Sequence, residues 1–285
     1  MFNPDKYQMR AAILLQGDPR FCSEFDQFLE NLKGFDQVDY FLYMWEDNFP
    51  TAELLANGGH QVVAPAWQHI DKEWALNKFK ELLPAGHTIV TLELADQSSV
   101  KTFPIESNFA VETRQDNLWK MMYSLFMANE ARRKYESENN FIYDAVIRTR
   151  PDVAVTSTID AVDIKTKLDN NPNTVITPNN KGCGYDGVWI CDLFGIGTSK
   201  TMTIYCDLYN QALDHNKAGV KFHPETLLGK HLERNGHSHA QHGGFKIEFR
   251  QLGIWKDLTT GEEWSSGDVP GWHNKIYISN FGRWQ

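Results

Sequence analysis

Cysteine is scarce. Four occur in 285 residues, Cys22, Cys183, Cys191 and Cys206, and no two form a C-x-x-C pair. Their number and scatter speak against a disulfide framework and predict reduced, unpaired thiols. No N-x-S/T sequon is present. No apolar run approaches the roughly 20 residues that cross a bilayer. The opening MFNPDKYQMR is polar and lacks the apolar core of a secretory signal. Together these absences predict a cytoplasmic protein without a membrane span. Positive charge is in deficit too: 28 Lys and Arg against 37 Asp and Glu give a formal net charge of −9. That excludes nucleic-acid binding or docking on anionic membranes by overall charge. An anionic substrate must therefore find a local positive site within an acidic protein.

Several catalytic signatures are also missing. There is no P-loop, no H-E-x-x-H and no G-x-S-x-G. Gly182, Gly184 and Gly187 match G-x-G-x-x-G, but a dinucleotide loop has to open a helix, and the strand-like VWICDLF follows instead. The run HSHAQH, His237 to His242, has no carboxylate or cysteine at metal-ligand spacing and reads as a solvated polar loop.

What is present is ample material for a core. Hydrophobic residues make up 41 % and aromatics 13 %, and a chain of this length buries about 75 % of its unfolded surface. Apolar runs at Ala11–Leu15, Val38–Trp45, Thr88–Leu94 and Tyr143–Thr149 predict strands. Helical patterns at Ser23–Leu32, Thr51–Ala56, Lys72–Leu83 and Gln115–Tyr135 lie between them, the last opened by a Thr113/Asp116 capping box. This alternation predicts an α/β domain with a mainly parallel sheet flanked by helices. Further on, a strand is expected at Thr174–Ile176 and a bent one over Val188–Gly197. Helices follow at Ser199–Leu213 and Pro224–Glu233, with Pro224 suited to the first helical position. Strand-like KIEFRQLGIW and a Trp/Gly-rich tail close the chain as a C-terminal elaboration. No repeat or linker interrupts it, so 1–285 is expected to form a single domain.

One constellation stands out. Arg148-Thr149-Arg150-Pro151-Asp152 ends the most apolar strand. Ligands of open α/β sheets bind outside the carboxyl ends of strands. Pro151 cannot donate to a ladder, so pairing must break there. Two readings follow: an internal salt-bridge cluster, or an anion site. Arginine forks suit phosphate oxygens, and an aspartate is a hard ligand for Mg²⁺ or Mn²⁺.

At this point the chain resembles a known group. YDAVIRTRPDVAV is similar to the Y-D-x-V-I-R-T-R-P-D segment of bacterial and viral polysaccharide-synthesis proteins, GT-A-like glycosyltransferases that include the WavE type. LLQGDPRF resembles their first-strand G-Q-x-R turn, and VDYFLYMW their D-x-F-x-H-x-W strand. CDLFGIGTSKTMTIYCDLY and HPETLLGKHL resemble their N-D-x-F-x-x-G and P-E-x-L-L-x-x-H-L segments. The patches extend from about residue 11 to 250, in the same order.

The resemblance implies a Rossmann-like GT-A domain. About 11–155 would form a half that binds the nucleotide sugar, and about 156–285 an acceptor half. It implies transfer of a sugar from a nucleoside-diphosphate sugar to a hydroxyl of a glycan or other acceptor. Asp152 matches the final Asp of the D-x-D motif of these enzymes and would hold a divalent cation, Mn²⁺ or Mg²⁺, whereas Arg150 replaces the first Asp. Gln16, Arg20, Arg148, Arg150 and Asp152 are the donor-binding candidates, and Asp192 and Glu225 the candidate general bases. Structural alternatives stand beside them: a satisfied buried carboxylate for Asp192, complementarity to the helix dipole for Glu225, and an N-cap role for His223. Trp255, Trp264, Trp272 and Trp284 are either an acceptor platform or packing. The rival reading is a non-catalytic carbohydrate- or nucleotide-binding protein that keeps the fold.

Overall fold

In a computed structural model, the structure describes residues 9–17, 25–46, 54–57, 60–63, 72–105, 112–151, 153–178, 187–188, 190–242, 244, 247–249, 254–257 and 263–265. In chain order the first half comprises β1 (Arg10–Gly17), α1 (Phe25–Asn31), β2 (Leu32–Lys33), β3 (Gln37–Trp45), β4 (Leu54–Asn57), β5 (His60–Val63), α2 (Lys72–Leu82), β6 (His87–Ala95) and α3 (Glu112–Asn139). Then follow β7 (Ala145–Thr149), β8 (Val153–Val155), β9 (Ile159–Asp160), α4 (Ala161–Asn170), β10 (Thr174–Pro178), β11 (Gly195–Gly197), α5 (Ser199–Cys206), α6 (Leu208–Lys217) and α7 (Pro224–Arg234). Short strands end the described chain: β12 (Ser238–His242), β13 (Ile247–Phe249), β14 (Ile254–Asp257) and β15 (Glu263–Ser265).

Seven strands form the central sheet in the order β12-β10-β11-β7-β1-β3-β6. β6, β3, β1 and β7 run parallel, β11 is reversed, and β10 and β12 resume the common direction. The fold is therefore α/β with a mainly parallel sheet, and the four apolar runs read from the sequence are its strands β1, β3, β6 and β7, with β6 at the edge. The side chains of β1 explain this. Ile13 and Leu15 enter one core, Ala12 and Leu14 the other, and all four are fully buried. A strand covered on both faces needs an unbroken apolar run. Each fully buried aliphatic side chain contributes about 1.5–3 kcal/mol.

Helices cover both faces. Phe28 and Leu29 of α1, Phe79 of α2 and Ile164 of α4 pack on one side. Trp119, Met122 and Leu125 of α3, Tyr205 of α5 and Leu228 of α7 pack on the other. The one sheet draws strands from both halves of the chain.

Local expectations needed correction in five places. Helix was expected over Thr51–Ala56, but Leu54–Asn57 is a strand, which joins β5, β14 and β15 in a small antiparallel sheet. The helix α3 already begins at Glu112, so Thr113 lies inside it and does not cap it. Strand was expected over Val188–Gly197, yet only Gly195–Gly197 pairs. The single helix expected over Ser199–Leu213 breaks at Asp207 into α5 and α6. The polar run at residues 237–242 is mostly strand, not loop: Ser238–His242 is the sheet's edge, where solvent reaches the side chains and polar residues are tolerated. Pro224 does open α7, as expected.

Candidate functional site

The chain runs from β1 outward through β3 to β6, then returns to place β7 on the other side of β1. The strand order therefore reverses between β1 and β7, and an open α/β sheet forms its ligand crevice outside the carboxyl ends of such a pair. The register Leu15↔Thr149 puts Gln16-Gly17 and Thr149-Arg150 at that crevice. Gly17, the last residue of β1, has φ of +107°, a conformation that favours glycine.

Gln16 is buried. Its Oε1 accepts a hydrogen bond from Ser124 Oγ of α3 at 2.8 Å, while its Nε2 has no partner among the described residues. Arg150 is half-buried, and its carbonyl accepts from the Val153 amide at 3.2 Å. That bond closes a turn with Pro151 at its second position, where proline is favoured. β7 stops at Thr149, as the proline demands. Arg20 and Asp152 lie outside the described residues, as do Cys22, Cys183, Trp272 and Trp284. Trp255 and Trp264 pair in register across β14 and β15.

Arg148 sits one step further in. Val146 of the same strand faces the layer of α3, α5, α6 and α7, and strand alternation turns Arg148 the same way. Its side chain has no exposure, and none of its three guanidinium nitrogens finds a hydrogen-bond partner among the described residues. It lines a cavity of about 20 Å³ together with Asp192, Tyr205, Cys206 and Pro224. Asp192 is half-buried in a bend before β11, not within a strand as expected.

The N-terminus of α7 completes the group. His223 holds the N-cap position without making a capping hydrogen bond. Its Nδ1 lies 3.1 Å from Glu225 Oε2, and both side chains are buried. Burial pulls the His223 pKa down to about 4, against the opposing charge of Asp192. The imidazole is therefore neutral at pH 7. Burial also pushes the thiols of Cys191 and Cys206 up to about 12, and both are free.

Sequence positions 148, 192 and 223–225 thus converge, and Gln16 and Arg150 stand at the crevice beside them. Tyr205 and Cys206 were not expected at the site from the sequence, where Cys206 is read only as a reduced thiol and both fall within a segment of the family resemblance. Among the described residues no group of three His, Cys, Asp or Glu is placed to hold a metal ion. A divalent cation would depend on Asp152. No described helix is long and apolar enough to cross a membrane.

No family model matches the chain, and no curated protein matches it. Among solved structures, it is similar to the apo form of the glycosyltransferase GlyE of Streptococcus pneumoniae TIGR4, at a TM-score of 0.41 and 13 % identity. That similarity covers 82 % of this chain and 45 % of the other, so the chain spans less than half of that protein's length.

Proposed function

We propose that this chain transfers a glycosyl group from a nucleoside-diphosphate sugar to a hydroxyl acceptor in glycan or polysaccharide synthesis. The observation that carries the reading is the convergence of Gln16, Arg148, Arg150 and Asp192 at the point where the strand order reverses between β1 and β7. The same R-T-R-P-D residues carry the sequence resemblance described above.

The chemistry follows from the groups at hand. The acceptor oxygen bonds to the anomeric carbon, the carbon–oxygen bond to the diphosphate breaks, and the leaving diphosphate keeps the electron pair. Its growing charge needs fixed cations. Arg150 supplies a half-buried guanidinium at the crevice, and Arg20 from the first-strand turn is its proposed companion. Arg148 lies beneath the crevice and does not meet the diphosphate, since a cavity of about 20 Å³ admits none. A divalent cation on Asp152 would share the leaving-group charge when bound.

In an inverting displacement the acceptor proton passes to a carboxylate. Asp192 is the better candidate, because it is half-buried, whereas Glu225 is buried against His223. Glu225 then positions the start of α7. A second reading, binding without turnover, is favoured by one feature: Arg150 stands where D-x-D enzymes carry their first Asp.

The test is a panel of UDP-, GDP- and CMP-sugars, scored by thermal shift and by release of nucleotide, with and without Mn²⁺. The expected result is one donor that stabilises the protein and turns over, with turnover lost in Asp192→Asn and binding weakened in Arg150→Ala. Binding without turnover would establish the second reading. No response to any donor would refute both.

A further inference from the structure

We propose that the cavity walled by Arg148, Tyr205 and Asp192 is a binding site for one monatomic anion, a halide such as chloride. This is separate from the glycosyl-transfer reading and stands without it.

Arg148 is fully buried on the middle strand of the sheet, β7, beside the α3 helix and the α5–α7 group. A guanidinium carries five N–H donors, no acceptor, and a charge that it cannot shed by losing a proton. All three of its nitrogens lack an acceptor among the described residues. The Tyr205 hydroxyl, in the same cavity wall, is likewise buried and unpartnered. An ionised group left unpaired in a protein interior is strongly disfavoured. Two unpartnered neighbours that can both donate, facing one space, ask for an acceptor in that space.

Size and charge narrow the occupant. A cavity of about 20 Å³ has room for a single water-sized group. Sulfate, phosphate and substrate carboxylates are too large. A water molecule can accept one or two of the donated protons, but it leaves the positive charge uncompensated. A halide accepts from every direction and neutralises the charge. The remaining wall is apolar or sulfur-bearing, with Met122, Leu125 and Cys206. The Cys191 and Cys206 thiols stay protonated at neutral pH because burial raises them to about 12, so neither supplies a competing thiolate.

Asp192 is the one opposing group among the described residues that line the cavity. It borders the cavity but makes no hydrogen bond to the guanidinium, and it is half-buried, with part of its surface in solvent. His223, whose burial keeps it neutral, feels the Asp192 charge from the start of α7. The carboxylate competes electrostatically with an anion, so it sets the halide affinity. This gives the site a signature that a bridging water lacks.

Thermal unfolding of the full chain in sodium chloride and sodium bromide is compared with sodium gluconate and sodium sulfate at matched ionic strength. The halides are expected to raise the midpoint by about 2 °C over the larger anions. The difference disappears in Arg148→Met and grows in Asp192→Asn, where the competing charge is gone. Crystals grown in bromide should show one anomalous peak beside the Arg148 guanidinium. That measurement uses the unaltered protein, so it decides the matter even if the Arg148 variant fails to fold. Equal midpoints in all four salts for both wild type and Asp192→Asn, with no bromide peak at Arg148, would overturn the proposal and assign the cavity to water.

Discussion

Two arginines lie fully buried on the same side of the sheet, and they could hardly be treated more differently. Arg132 of α3 has every nitrogen engaged. Nε and Nη2 donate to Asn129 Oδ1 at 3.0 and 2.8 Å, and Nη2 also donates to Thr203 Oγ1 at 2.8 Å. Nη1 donates to Glu136 Oε2 at 2.8 Å and to Ser199 Oγ. Glu136 in turn accepts from the Tyr143 amide at 2.9 Å, just before β7. The cluster therefore ties α3 to α5 and to the entry of β7. Arg148 has none of this. Equal burial with opposite satisfaction separates two uses of a charge: the first arginine completes the protein's own structure, and the second is met by no acceptor among the described residues.

Removing Arg132 should have the largest effect. Arg132→Met leaves the Glu136 carboxylate buried without its cation, and loss of about 3–5 kcal/mol is expected from urea unfolding midpoints. Retention of wild-type stability would dissolve the contrast at once.

Acid should act next. His215 and His223 are both held near pKa 4 chiefly by burial, below the ordinary 6.5. His215 Nε2 meets His231 Nδ1 at 2.9 Å, and Arg234 Nη1 meets His215 Nδ1 at 2.8 Å, so neutral rings are required. A depressed histidine pKa favours the folded state above the unfolded value, and that contribution is lost as pH falls through 6.5 toward 4. Each histidine contributes at most roughly 3 kcal/mol to the loss. Unfolding midpoints between pH 7 and 4.5 measure the sum. His223→Gln should remove only the share that belongs to the Arg148 side.

A subtler probe is Gly229→Ala. A Cβ there would collide with Val188 Cγ1, so either the Val188 side chain or α7 must shift, close to the loop that leads to Asp192. Overpacking of this kind is destabilising by about 1–3 kcal/mol. It should also change the halide response of the Arg148 cavity. An unchanged response would uncouple α7 from that cavity.

The smallest effect is the most telling. In halide-free buffer Arg148→Met should be neutral or stabilising, by about 1 kcal/mol, because it removes a charge without breaking a bond. A loss comparable with that of Arg132→Met would show that Arg148, too, is met within the protein.

The central strands were legible in the sequence because burial on both faces leaves an unbroken apolar run, as in Ala11–Leu15 and Val38–Trp45. The start of α7 was legible from Pro224. The edge strand β12 was not, since an exposed edge relaxes the need for apolar side chains and HSHAQH looks like any polar loop. Nor was the break at Asp207, which no proline or glycine announces. For the site, R-T-R-P-D marks itself by placing charge at the end of an apolar strand. That Arg148 would meet Asp192, Tyr205 and Pro224 could not be read, because those partners are far apart along the chain and only packing joins them. The Arg132 cluster left one trace: Asn129 interrupts the apolar stripe of α3 at the place where it receives the guanidinium.

The return of the chain to β1 also has a consequence for synthesis. β1 pairs with β3 almost as soon as residue 45 has been made, but its other edge waits for β7, which ends at Thr149. At translation speeds of roughly 5–20 residues per second that wait lasts on the order of ten seconds. Throughout it, the apolar edge of Ala11–Leu15 is a template open to any passing strand. The junction proposed to hold the substrate is thus a seam that closes only after β3 and β6 have been added on the far side of β1, and an interval of exposure to misassembly is written into the strand order.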